Sequence, residues 1–297
     1  MTAERWLVTG ALGCLGAWTV ATLAQEGADV VAFDLGTDDR RLRLVASDDE
    51  LGRVTSVRGD ITDLPAVEAV LAEQAITHVV HLAALQVPFV KADPVRGAQV
   101  NVTGTVNVFE AAKRHGLRTS IAYASSAAVY DQHGDIAPRT LYGVYKLANE
   151  GTARVYWQDD GIASIGLRPF SVYGPGRDQG LTAGPTLAIE AAVRGEPYRI
   201  GFGGRTQLHY APDVARAFVQ AARSAPGGAA VYSLGGPATA IADFVARLRA
   251  EIPEAGVTFD ETPLPFPDEL PQPWFESPLT SLEQGIHETA ELLRAAV

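Results

Sequence analysis

The chain has 297 residues, with 24 Lys+Arg against 35 Asp+Glu and a net charge of −11. That length suits one large domain, or a main domain with a smaller lobe, and 47% hydrophobic with 20% charged residues is globular rather than disordered material. The acid excess argues against a binder of the nucleic-acid backbone and against a polybasic membrane anchor. Only three of the basic residues are lysines, Lys91, Lys113 and Lys146, so any lysine that chemistry requires is one of these. A single cysteine, Cys14, excludes an internal disulfide framework and a cysteine-rich metal site, and no metal is expected. The start, MTAERWLVTG, has no secretory leader pattern, and no window holds 18 uninterrupted apolar residues. A cytoplasmic location is therefore expected.

Short β-branched runs at 6–8, 29–33, 53–57, 77–82 and 120–124 predict strands. Between them, apolar residues at three- and four-residue spacing predict helices at 15–26, 64–74 and 99–115, then a helix at 141–158 and a sixth strand at 162–167. Repeated strand–helix–strand order means a parallel sheet with helices on both faces, and such sheets bind ligands at the carboxyl ends of their strands. After Arg168 glycine and proline become frequent. Helices are expected at 186–194, 213–224, 241–251 and 279–296, with a strand near 230–233. Six of the 18 prolines fall between Pro263 and Pro278, which predicts an irregular, surface-wrapping segment. The fold expected is a doubly wound α/β sheet of Rossmann type over 1–168. Residues 169–297 complete the sheet and form a small substrate-binding lobe.

The string Thr9-Gly10-Ala11-Leu12-Gly13-Cys14-Leu15-Gly16 follows the first strand and opens the first helix. Gly10 allows a tight turn, Gly13 lets backbone approach a pyrophosphate, and Gly16 lets the helix pack closely on the strand. The helix start then offers unpaired N–H groups and partial positive charge to phosphates. Asp34, 18 residues after Gly16, ends the second strand, where a carboxylate accepts the adenosine-ribose hydroxyls and repels a 2′-phosphate. This favours NAD, while Arg40, Arg41 and Arg43 keep NADP open. Cys14 is either a thiol activated by the helix start or a small apolar filler, and hydride chemistry needs no thiol.

Tyr142 and Lys146 stand four apart in the helix predicted at 141–158, on one face. A neighbouring ammonium favours the phenolate and draws the phenol toward the working range of a base. Ser125 and Ser126, at the end of the fifth strand, are placed to supply a hydroxyl beside it. His81, on an apolar strand, is expected to be structural, and Tyr145 points away from Tyr142 and is expected to pack.

With these motifs in place, the sequence resembles the extended short-chain dehydrogenase/reductases, also called the NAD-dependent epimerase/dehydratase family. The resemblance rests on TGALGCLG at 9–16, FD at 33–34, GDITD at 59–63, HLAA at 81–84, NVTGTVNVFEAA at 101–112, YASSAAVY at 123–130, YGVYK at 142–146, LRPFSVYGPGR at 167–177 and HYAPDVARAF at 209–218. It implies that Asp60 and Ile61 flank the adenine and that Leu82, Ala83 and Ala84 line the cofactor. It further implies Ser126 as the catalytic serine, Tyr142 as acid/base, Lys146 as its tuner and ribose ligand, and Asn101 as support for the network. Asn101 serves equally as a pin for its own helix. A homodimer through helices near 99–114 and 142–158 is likewise what the resemblance implies.

The chain also departs from the family's nucleotide-sugar enzymes. Only 16 residues separate Ser126 from Tyr142, where those enzymes carry a longer segment. They often have asparagine where this chain has Ser171, and arginine where it has Thr206, seven residues before Asp213. A diphosphate needs strong cationic partners, and few are in view. The reading is an NAD-dependent dehydrogenase that takes hydride from a secondary alcohol carbon of a small polyhydroxylated substrate: a sugar, sugar acid or related hydroxy acid. Gln86, Tyr173 and Ser125 are expected to line the substrate pocket, and Arg177 either pairs with a substrate carboxylate or binds local backbone. The alternative is a nucleotide-sugar epimerase that keeps its NAD. A non-catalytic NAD sensor is a remote third, because it has no use for Ser126, Tyr142 and Lys146.

Overall fold

The computed structural model describes residues 4–224 and 227–296. Strands run in chain order β1 Arg5–Thr9, β2 Asp29–Asp34, β3 Val54–Arg58, β4 His78–His81, β5 Ile121–Ala124, β6 Ser164–Arg168, β7 Ser171–Tyr173, β8 Tyr198–Ile200, β9 Arg205–Tyr210, β10 Ala229–Leu234, β11 Ala238–Ala240, β12 Val257–Phe259 and β13 Trp274–Phe275. Eight of them form one sheet in the order β3-β2-β1-β4-β5-β6-β10-β13, with every neighbouring pair parallel. The order reverses between β1 and β4, and there the carboxyl ends of the strands open a crevice. This is the α/β architecture expected, and β10 and β13 show how the second half returns to the sheet.

Both sheet faces are apolar, as a parallel sheet requires. On one face Trp6, Val8 and Ala32 pack with Val20, Phe218 and Val214, so the helix Ala211–Arg223 lies against the helix Cys14–Gln25. On the other, Leu7, Val31, Val79 and Ile121 meet Val67, Leu71, Val108 and Phe109 from the helices Leu64–Glu73 and Gly104–His115. A third core brings Tyr173, Ile200, Tyr210, Phe244 and Ile286 together with Val129 and Tyr130 from the first half. Two further sheets stand apart from the large one, the three-stranded β11-β9-β7 and the pair β12-β8.

The helix expected at 99–115 is interrupted: Gln99–Thr103 is a π-helical turn, continuous with the helix Gly104–His115. The extra residue in that turn re-aims Asn101 toward the crevice loop. Among the described residues no helix is long and apolar enough to cross a membrane.

Candidate active site

The glycine loop sits where the motif places it. Gly10 has φ +66°, and a Cβ there would stand 2.7 Å from the Ala83 backbone, so this close approach of the loop to the segment after β4 requires glycine. At Gly16 a Cβ would collide with the Gly10 carbonyl, which lets the helix Cys14–Gln25 start directly against the strand. That helix has Gly13 as its N-cap, with no side-chain cap and no acid in its first turn. Its first N–H groups therefore remain available to an anion.

Asp34 is braced at the end of β2: Leu12 N donates to Oδ2 at 3.0 Å and Gly36 N to Oδ1 at 2.9 Å. The three arginines that kept NADP open have acid partners. Arg40 and Arg41 both bind Asp178, at 2.9 and 2.7 Å, and Arg43 binds Asp39 at 2.9 Å. Asp60 accepts from Thr62 and, at 3.0 Å, from Arg96. Burial alone would raise its pKa, but these donors outweigh it and hold the carboxyl below the usual range.

One cavity of about 760 Å³ runs from this loop to the end of β5. Gly10, Leu12, Gly13, Cys14, Leu15, Gly16, Asp34, Asp60, Ile61, Leu82, Ala83, Ala84, Gln86, Ser125, Ser126, Tyr142, Lys146 and Arg177 all border it. Free helix N–H groups at its centre, a ribose-seeking carboxylate at one end and a phenol with an amine at the other form the donor set a dinucleotide needs. The residues present fit NAD.

The helix Leu141–Asp160 is started by Thr140, whose hydroxyl accepts from Gly143 N at 3.1 Å. A side chain at 143 would run into the Ala128 carbonyl, so glycine lets the helix close on the turn after β5 and brings Tyr142 beside Ser126. Burial pushes the Tyr142 phenol above its ordinary value, while the Ser126 hydroxyl and the Arg177 charge pull the other way. Lys146 is buried; its Nζ donates to Ala124 O at 2.7 Å and lies 5.5 Å from the Tyr142 ring centroid. Burial lowers its pKa to about 8. The expectation that Lys146 draws the phenol down thus meets a larger opposing effect, desolvation of the phenolate.

Three assignments need correction. Tyr173 does not reach the cavity: it lies on β7 in the third core, its ring tilted against Tyr210 and edge-on to Phe244. Asn101 does not touch it either; its amide brackets Leu85, accepting from Leu85 N at 2.7 Å and donating to Leu85 O at 2.9 Å. It pins the loop that carries Ala84 and Gln86. Ser125 borders the cavity, but its hydroxyl turns away and donates to Glu150 Oε1 at 2.5 Å. His81 is held between Thr9 and Thr105 and is pushed down to about 3 by burial, a neutral structural residue. Burial raises the Cys14 thiol to about 11, so it is inert filler. Tyr145 packs, its hydroxyl donating to Pro94 O.

Sequence reasoning missed Glu150, one turn beyond Lys146. Its carboxylate holds Arg168 bidentately, Nε to Oε1 at 2.7 Å and Nη2 to Oε2 at 2.6 Å, and Arg168 also donates to the Tyr130 hydroxyl. It also missed the strap 174–182. Trp18 Nε1 donates to Pro175 O at 2.9 Å, and Arg41 binds Asp178 on one side and Leu12 O on the other. Behind the strap, Ser171 and Thr206 are fully buried and hydrogen-bonded to each other at 3.0 Å. Arg205 turns outward to Ala238 O.

A family model described as "NAD dependent epimerase/dehydratase family" matches residues 6–235. The chain belongs to this family. Among curated relatives, the UDP-glucuronate 4-epimerase 6 of Arabidopsis thaliana is 34% identical over 57% of this chain, which spans only 40% of that protein's length. The UDP-glucose 4-epimerase of Mycolicibacterium smegmatis is 32% identical over 75% of each chain. Among solved structures, MoeE5 in complex with UDP-glucuronic acid and NAD superposes with a TM-score of 0.80 at 27% identity, covering 99% of this chain and 100% of its own.

Proposed function

We propose that this family member is a dehydrogenase acting on a compact polyhydroxylated substrate, a sugar or sugar acid, rather than on a nucleotide sugar. The observation that carries the reading is the Ser171–Thr206 pair. The two positions at which nucleotide-sugar enzymes would offer an asparagine and an arginine are here closed on each other, with no polar atom turned toward a diphosphate. The short connection after Ser126, folded back by the Tyr130–Ile136 bridge, supports the same reading.

In the mechanism proposed, Tyr142 takes the proton of the reacting hydroxyl while Ser126 holds its oxygen. Lys146, anchored on Ala124, binds the ribose of the cofactor and places positive charge beside the phenolate as it forms. The helix start at Gly13–Leu15 would hold the pyrophosphate and Asp34 the adenosine ribose. Bound NAD supplies the hydride acceptor. The Asn101–Leu85 clasp fixes the loop that borders the reacting carbon.

A second reading, nucleotide-sugar epimerase, is favoured by the Mycolicibacterium relative. Incubation with NAD and a panel of sugars, sugar acids and UDP-sugars separates the two. Stoichiometric NADH supports the dehydrogenase; epimerised UDP-sugar without NADH, from protein that keeps its NAD through purification, overturns it. Tyr142→Phe should bind NAD normally and lose turnover by three orders of magnitude or more; near-normal activity would sink the assignment. We further propose a homodimer. The helix Leu141–Asp160 exposes Leu141, Val144 and Val155 along one face, the spacing of a helix–helix seam.

A further inference from the structure

Among the described residues four cations border the cavity, and three are committed: Arg41 to Asp178, Arg96 to Asp60, and Lys146 to the Ala124 carbonyl. Arg177 is the fourth. Among the described residues no carboxylate lies within 4 Å of it, because the adjacent Asp178 is taken by Arg40 and Arg41. Among the described residues its side chain makes one hydrogen bond, a long contact from Nη2 to Thr182 Oγ1 at 3.4 Å, and its Nε is buried with no partner. Gln86 Oε1 is likewise buried and unpartnered. Both side chains meet at Gly180: a Cβ there would collide with Gln86 Oε1 and stand 3.1 Å from Arg177 Nη2. An unmet donor on a cation and an unmet acceptor on an amide thus converge in a cavity shared with Ser126 and Tyr142.

We infer that Arg177 and Gln86 form the subsite for a substrate carboxylate and its neighbouring hydroxyl, so that the substrate is a hydroxy acid and not a neutral sugar. The inference rests on the dehydrogenase reading for its reaction, but not for its binding. A guanidinium presents a planar fork that two carboxylate oxygens match, and the Gln86 carbonyl oxygen accepts from a hydroxyl beside the acid. Leaving both groups buried and unmet disfavours a neutral ligand that supplies only the hydroxyl. The pyrophosphate of the cofactor already has the uncapped helix start, so it does not require this cation.

The test compares D-glucuronate, D-galacturonate, D-gluconate and D-erythronate with D-glucose, D-galactose and erythritol. NADH formation is followed in the native protein and in Arg177→Gln and Arg177→Lys. At least one acid should exceed its neutral counterpart a hundredfold in kcat/KM. Arg177→Gln should erase that preference, Arg177→Lys should keep part of it, and the Kd for NAD should move less than threefold in both. Calorimetric titration of NAD-saturated Tyr142→Phe with the same compounds reads binding without turnover. Acids that bind there, and fail to bind once Arg177→Gln is added, uphold the subsite even if no NADH forms, in which case only the dehydrogenase reading fails. Equal use or binding of acids and neutral sugars, or no acid binding at all, overturns the inference. So does a tenfold or greater loss of NAD affinity in Arg177→Gln with acid preference intact, since that assigns the cation to the cofactor.

Discussion

Replacing Glu150 with glutamine keeps shape and removes one charge from beneath the catalytic groups. Glu150 and Arg168 side chains are only 9% and 13% exposed, and their bond is bidentate. Breaking a buried pair from one side leaves the other charge uncompensated, a cost of about 3–5 kcal/mol. The Tyr130 hydroxyl and the Glu150→Gln amide oxygen still solvate Arg168, so the lower end, about 3 kcal/mol, is expected. At about 2–3 °C per kcal/mol for a chain this size, the midpoint of thermal unfolding should fall about 6–9 °C. The effect should reach catalysis through β5. Ser125 donates to Glu150, Ser126 adjoins Tyr142, and Ala124 receives the Lys146 amine. Loosening the end of that strand should lower kcat about tenfold with little change in KM, since displacing catalytic groups by a fraction of an ångström costs about that much. Differential scanning fluorimetry and initial rates measure both, and Glu150→Asp should recover part of each. A midpoint within 2 °C of the native protein together with an unchanged kcat would refute the positioning role.

Acid lability follows from two buried histidines. His81 and His209 are pushed by burial to about 3 and about 4 from an ordinary 6.5. A lowered histidine pKa means the unfolded chain takes up protons first, so this stability is complete above 6.5 and is lost as the pH falls toward 4. At pH 5 each should cost about 2 kcal/mol, before most carboxylates titrate. Urea unfolding at pH 7.5 and 5.0 should differ by about 4 kcal/mol, and equal stabilities would contradict the buried neutral state. Asp34→Ala should weaken NAD binding about 100-fold and leave NADP binding within a fewfold, because both hydroxyl acceptors and the repulsion of a 2′-phosphate disappear together. Fluorescence titration with both cofactors decides this. Val144→Glu, in the exposed seam of the helix Leu141–Asp160, should convert a dimer to monomer by light scattering on a sizing column, and an unchanged mass would place the interface elsewhere.

Much of the site is legible in the sequence because its parts are local. The glycine loop lies between one strand and one helix, Asp34 ends the next strand, and Tyr142 and Lys146 share one helical turn. Ser126 comes from the element just before. What sequence spacing could not reveal is the direction of a side chain at a strand end. Ser125 and Ser126 are adjacent, yet strand alternation sends one to Glu150 and the other to Tyr142. Tyr173 read as pocket lining because its segment follows β6, but the chain turns into a second sheet and buries the ring. Contacts between distant segments were equally hidden. Arg41 and Asp178 stand 137 residues apart, and spacing along the chain gave no sign that they pair. Glu150, four residues past Lys146 and so on the same helical face, was the one missed residue whose spacing signalled it.

The strap over the glycine loop bears on time rather than on binding. It is tied down by Trp18 at Pro175 and by Arg40 and Arg41 at Asp178, beside the helix start that would hold the pyrophosphate. The Arg40 side of that tie is 60% exposed and the Asp178 side 30%, so dissolved salt reaches it. Release of a cofactor held beside the strap should then quicken as ionic strength rises, which stopped-flow displacement at low and high salt measures. An enzyme that must shed NADH each turnover and one that must keep it differ in this single rate. The charges expected to govern that rate stand on the helix Arg40–Val45 and at Asp178 in the strap, both outside the catalytic groups.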